Sequence, residues 1–209
     1  MNILYRWIFP SACIWCGKEV LVGDALCGPC FSRLQVEAAN SRKINGGTAL
    51  QEACVYVANY SGAFKKAIIQ WKVANNYSLT RQFAQLMHVN IPMDIWNLPV
   101  TSIPGHKMSI RKRGWDASSE LGKALAKMIN SRWIRLIERH SKSDMQKKLG
   151  REDRYNNASD MLYCRRDIVP PAVILVDDVR TTGETMSAGE RILLEHGCKQ
   201  IHSFVLAQD

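Results

Sequence analysis

The stretch "VILVDDVRTTGET", Val173 to Thr185, decides the fold. Four apolar residues run into two adjacent carboxylates, Asp177 and Asp178, and a loop of small hydroxylated residues around Gly183 follows. An apolar run of this length reads as a strand buried on both faces, the habit of parallel sheets. In such sheets ligands bind beyond the carboxyl ends of the strands. The segment from Glu184 to His196 carries Met186, Ile192 and Leu193 as candidate core contacts, closed by Gly197, and reads as a helix. Its first turn presents unpaired backbone N–H groups and the positive end of the helix dipole. Gly183 removes the Cβ that would obstruct an oxyanion, and Thr181, Thr182 and Thr185 add hydroxyl donors. Carboxylates that accept from a sugar diol, beside amides that hold a phosphate, describe a site for a ribose 5-phosphate group. The lysine and spacing of a P-loop are missing.

Outward from this strand, helices and strands alternate. "ACVYVANY" (53–60), "LPVTSIP" (98–104), "WIRLIE" (133–138) and "QIHSFVLA" (200–207) read as strands. Phe64, Ile68 and Trp71 recur at helical spacing between Gly62 and Val73; Leu79, Phe83, Leu86 and Met87 mark a second helix. Leu121, Leu125, Met128 and Ile129 mark a third, from Ser118 to Ile129. Lys142 to Asn157 reads as loop or a mobile helix. The expected fold class is α/β, a mostly parallel sheet flanked by helices.

Four of the seven cysteines open the chain: Cys13, Cys16, Cys27 and Cys30, in two C-x2-C pairs ten residues apart. Four thiolates at this spacing suit a tetrahedral Zn²⁺ with no open position for water, so the metal is structural. Disulfides or an iron–sulfur cluster are the alternatives. A metal would fold a segment too short to hold a core of its own. The expected division is therefore 1–40, a zinc-binding module, and 48–209, the α/β domain, with the glycine-rich "SRKINGG" (41–47) as linker or turn. Cys54, Cys164 and Cys198 read as small core residues.

The net charge is +9 and uneven. Residues 101–154 hold 14 Lys+Arg against 6 Asp+Glu, a local excess of +8 that points to a polyanionic or phosphorylated partner. Arg111, Lys112 and Arg113 lie beside Trp115, and Arg132, Arg135 and Arg139 lie near Trp133, as in surfaces that track phosphates and stack bases. No apolar run approaches the roughly 18 residues of a membrane helix. The opening "MNILYRWIFP" is short for a signal peptide and reads as a lead-in helix of a cytoplasmic protein.

"VILVDDVRTTGET" resembles the phosphoribosyl pyrophosphate (PRPP) motif of type I phosphoribosyltransferases. The whole chain resembles the ComF (ComFC/GntX) family, which places a four-cysteine zinc module ahead of such a domain. "RKRGWDAS" (111–118) matches the family's R-x-R-G-F-N-Q segment, with Trp115-Asp116-Ala117 for F-N-Q; "KSDMQKKLGREDRYNNA" matches a second basic segment. The resemblance implies a type I phosphoribosyltransferase-like sheet. It implies that Asp177 and Asp178 contact the ribose hydroxyls, and that Thr181, Thr182, Gly183, Glu184 and Thr185 hold the 5-phosphate. Lys107, Arg111 or Arg113 would supply charge to pyrophosphate, with Mg²⁺ bridging ligand oxygens. It also implies natural transformation: PRPP and single-stranded DNA as partners, Arg111, Lys112, Arg113 and Trp115 at the nucleic acid, and the inner-membrane uptake machinery nearby. An active phosphoribosyltransferase on an unidentified acceptor is the alternative.

Overall fold

The computed structural model describes residues 12–41, 43–45, 54–140 and 162–209. The expected lead-in helix and the basic segment from Lys142 to Asn157 lie outside these residues. Val173–Val176 form the middle of β6 (Ala172–Arg180), and all four are fully buried. β6 is an interior strand because both its faces are apolar. It pairs in parallel with β7 (Gln200–Gln208) on one side and β3 (Val100–Ser102) on the other. β2 (Cys54–Asn59) joins β7 in parallel, and β1 (Lys43–Asn45) joins β2 antiparallel, giving the order β1-β2-β7-β6-β3. Residues 43–45, read as linker, thus form an edge strand.

Alternate residues of β6 serve two cores. Ile174 and Val176 pack with α1 (Gly28–Ser41), α2 (Gly62–Lys72), α3 (Leu79–His88) and α5 (Ala117–Met128), through residues such as Leu34, Phe64, Trp71, Phe83 and Leu121. Val173 and Leu175 pack with α6 (Glu184–Glu195) and an antiparallel ribbon of β4 (Ile137–Arg139) and β5 (Leu162–Cys164). α6 lies tight on the sheet: a Cβ at Gly189 would fall 2.3 Å from Ile103 Cδ1.

Two expectations need correction. "WIRLIE" is not one strand. Trp133 makes a single parallel bridge to Val100, and the chain then leaves β3 so that Ile137–Arg139 pairs with β5. Cys54 and Cys198 are buried, but Cys164, on the outer ribbon, is only half-buried. A short helix, α4 (Lys107–Arg113), was not expected, because no residue of it is buried and apolar periodicity therefore carries no signal. Among the described residues, no helix is long and apolar enough to cross a membrane.

Candidate functional site

Asp177 and Asp178 stand at the carboxyl end of β6, and their surroundings differ. Asp178 Oδ1 lies 2.6 Å from Nζ of Lys72, the last residue of α2. Asp177 Oδ1 accepts hydrogen bonds from Ser118 Oγ at 2.9 Å and from the Asp178 backbone N–H at 2.8 Å. Burial, and then the charge of Asp178, push Asp177 up to about 7, against the opposing pull of the Asp178 N–H, Lys72 and Ser118. A folded-state value above the ordinary 3.8 means that the native protein holds this proton more tightly than the unfolded chain. The resulting stability is complete below the unfolded value and is lost as pH rises through about 7. In urea denaturation, the stability of wild type relative to Asp177→Asn should therefore fall steadily across that window. A flat difference would show that Asp177 titrates like a free carboxylate.

β6 passes through Thr181 and Thr182, both exposed, into Gly183 at φ +87°, the residue that caps α6. Only glycine takes this conformation at little cost, and space demands it too. A Cβ there would lie 2.6 Å from both Nε and Nη2 of Arg180. Glu184 points its side chain to solvent, while its backbone N–H donates to Thr182 Oγ1 at 3.4 Å. A recess of about 40 Å³ opens among Asp177, Arg180, Thr181, Gly183, Thr185 and Met186.

Beyond β3 the chain turns at Gly105, whose N–H donates to both oxygens of Asp116 at 3.3 and 3.4 Å. Ser119 Oγ donates to Asp116 Oδ2 at 2.9 Å, so the acid at the α5 N-cap fastens this turn. A cavity of about 330 Å³ lies between α4, α5 and β4, bounded by Gly105, Lys107, Asp116, Lys123, Trp133 and Arg139. Arg139 is 5% exposed and donates through Nε to the Pro104 carbonyl at 3.3 Å. Burial works against its charge and pulls it below its usual range, and Asp177 and Asp116 oppose that only in part. It therefore faces the site and does not join Arg135 at the surface.

Lys107, Arg111 and Lys112 are exposed on α4, and Arg113 is half-buried. The Arg113 guanidinium lies over the Trp115 ring at 5.8 Å, and that ring packs against Trp71 at 5.6 Å and Tyr77 at 5.4 Å. Trp115 is thus half-buried among aromatics. Trp133 donates to Ser102 Oγ at 3.3 Å, with Lys123 and Arg135 over its ring. Sequence reasoning did not find Lys72, Ser118, Arg139 and Arg180 as parts of this corner. The sequence signal of Ser118 is only its place in the matching segment 111–118, since its partner Asp177 comes from a distant strand.

The four N-terminal sulfurs lie within 4.8 Å of one another, and Cys16 Sγ is 3.5 Å from Cys27 Sγ. Ligands at about 2.3 Å from a tetrahedral zinc are about 3.8 Å apart, so these residues fit that ion. Burial opposes ionisation of Cys13, but hydrogen bonds, first to the Cys27 backbone and then to Trp15 and Cys16, outweigh it and bring the thiol to about 6. Cys30 in the same cluster goes the other way, pushed up to about 12 by burial and then by hydrogen bonds to Cys27, Cys16 and Cys13.

Residues 4–44 match the double zinc ribbon domain family. Competence protein F of Haemophilus influenzae is 25% identical over 211 residues, covering 94% of this chain and 90% of the relative. Among solved structures, the allosteric regulatory enzyme of purine biosynthesis aligns with 60% of this chain at 15% identity and a TM-score of 0.43. The chain spans a quarter of that enzyme's length. Adenine phosphoribosyl transferase from Trypanosoma brucei aligns with 87% of this chain and 79% of its own, at 13% identity and a TM-score of 0.37. A four-cysteine ribbon packed on a mostly parallel sheet, in a chain that aligns nearly end to end with competence protein F, fits the ComF family.

Proposed function

We propose that this protein is a competence-type DNA-uptake factor of the cytoplasm that binds PRPP with Mg²⁺ and also binds single-stranded DNA. The observation that carries the PRPP half is the acid pair at the end of β6, set beside the glycine-led start of α6. Asp177 and Asp178 accept from the ribose hydroxyls, the amides of Gly183–Thr185 face the 5-phosphate, and Mg²⁺ neutralises the pyrophosphate while keeping most of its waters. Lys107, Arg111 and Arg113 follow the β3 turn and supply positive charge to the same anion. The DNA half rests on the exposed cations of α4, Arg111 and Lys112, within the basic segment.

Calorimetry on zinc-loaded protein tests the first half: PRPP should bind in the presence of Mg²⁺ and weakly without it. For the second half, oligonucleotide retardation should weaken steeply with salt and drop at least tenfold in Arg111→Ala with Arg113→Ala. No retardation at low salt overturns the DNA reading. The cavity of about 330 Å³ beyond β3 favours one alternative, an active phosphoribosyltransferase, because it offers space for an acceptor. That alternative requires pyrophosphate release that depends on an added acceptor.

A further inference from the structure

Arg180 carries a charge that its neighbours leave unanswered. Its Nε and Nη1 are closed to solvent and have no hydrogen-bond partner among the described residues. The edge bearing Nε and Nη2 faces Gly183, closely enough to occupy the space of a Cβ there. One acidic group that feels this charge, Glu190, accepts a hydrogen bond from Ser203 Oγ, and burial pushes its carboxyl toward the protonated form. Cys54 feels Arg180 and shares a side-chain hydrogen bond with it, but desolvation pushes its thiol up to about 11, so this partner stays neutral and leaves the charge unpaired. Buried polar groups are satisfied almost without exception, and an orphaned guanidinium needs a partner. Its planar fork suits the oxygens of a phosphate. The recess it overhangs is the one bounded by Thr181, Gly183 and Thr185, at the start of a twelve-residue helix.

We infer that Arg180 is a ligand-binding residue of this cradle. Its guanidinium lies across Gly183 when the cradle is empty, and it donates to the terminal monophosphate of a sugar phosphate when one enters. It thereby makes the site discriminate between a phosphorylated sugar and the free sugar. The inference rests on the sugar-phosphate reading of the cradle and adds to it a side chain that the backbone amides alone do not supply.

The test uses full-length, zinc-loaded protein with ribose 5-phosphate, ribose and PRPP as probes, by calorimetry and thermal melting. Arg180→Gln should weaken ribose 5-phosphate at least thirtyfold and shrink its advantage over ribose. Ligand-free Arg180→Gln should melt at or above the wild-type temperature, because an unsatisfied buried charge has gone, and the ligand-induced rise in melting temperature should vanish. Arg180→Lys, which keeps the charge but not the fork, should fall between the two. A variant that melts lower yet binds ribose 5-phosphate as wild type does would make Arg180 a structural counter-ion and overturn the inference. If Arg180→Gln does not fold, wild-type affinity in Arg180→Lys overturns it equally. Should wild type bind PRPP while the Arg180 variants bind it no less well, only this assignment falls. Should wild type bind neither PRPP nor ribose 5-phosphate, the sugar-phosphate reading falls and takes the assignment with it.

Discussion

Cys27→Ser, or removal of zinc by a strong chelator, should unfold the whole chain and not the first forty residues alone. The reason lies in how the ribbon is attached. The Gln82 side chain, from α3, accepts from the N–H groups of Ala25 and Leu26 at 3.1 and 2.9 Å and donates to the Leu26 carbonyl at 2.8 Å. That clamp holds the backbone just before Cys27. Glu37 of α1 accepts from the N–H groups of Ala63 and Phe64, both at 3.2 Å, and so caps α2 from outside. Trp15 donates to Gln70 at 2.7 Å. Val20, Leu26 and Leu34 are buried in the same apolar cluster as Phe64, Trp71 and Phe83.

Structural zinc contributes on the order of 10–16 kcal/mol of apparent binding energy, whereas a whole domain is stable by only about 5–15 kcal/mol. Loss of the ion therefore matches the entire stability of the protein. The melting temperature should fall by more than about 10 °C, seen together in helical circular dichroism and in tryptophan fluorescence. Trp71 reports on α2, well outside the ribbon in sequence. Two separate transitions, with the later one unmoved by chelation, would show that the ribbon folds independently.

The second large effect concerns Asp178. Asp178→Ala should abolish Mg²⁺-dependent PRPP binding, a loss of at least a hundredfold, because it removes an acceptor and a negative charge from the end of β6. It should also destabilise the fold by roughly 1–3 kcal/mol, since Lys72 Nζ, whose side chain is 22% exposed, loses the carboxylate 2.6 Å away. Lys72→Met with Asp178→Ala should recover the stability and leave binding absent, which separates the two roles. Binding within threefold of wild type in Asp178→Ala would falsify the assignment of the acid pair to the ligand.

The ribbon is linked to this ion pair through α2. The ribbon caps and buttresses α2, and α2 ends in the lysine that holds Asp178. Removal of zinc should therefore abolish PRPP binding together with the fold, in proportion to the ion removed.

The sequence by itself determined several features that depend on neighbours along the chain. Val173–Val176 is apolar on both faces, so it had to lie inside a sheet, and the acids after it had to emerge at its end. Cys13, Cys16, Cys27 and Cys30 are spaced for one ion whatever the rest of the chain does. The helices of Phe64–Trp71, Leu79–Met87 and Leu121–Ile129 follow from apolar periodicity, because each is anchored by one buried face. What only the tertiary structure decided are the pairings between distant segments. Lys72 reaches Asp178, Ser118 reaches Asp177, and Arg139 turns inward beneath Pro104, none of which leaves a periodic trace. The strand at 43–45 and the ribbon at 162–164 were equally hidden, since three residues are too few to display alternation and their pairing comes from a partner strand. Local spacing fixes what a segment prefers to be; the charge and burial of a single polar side chain are fixed by whatever the fold sets against it.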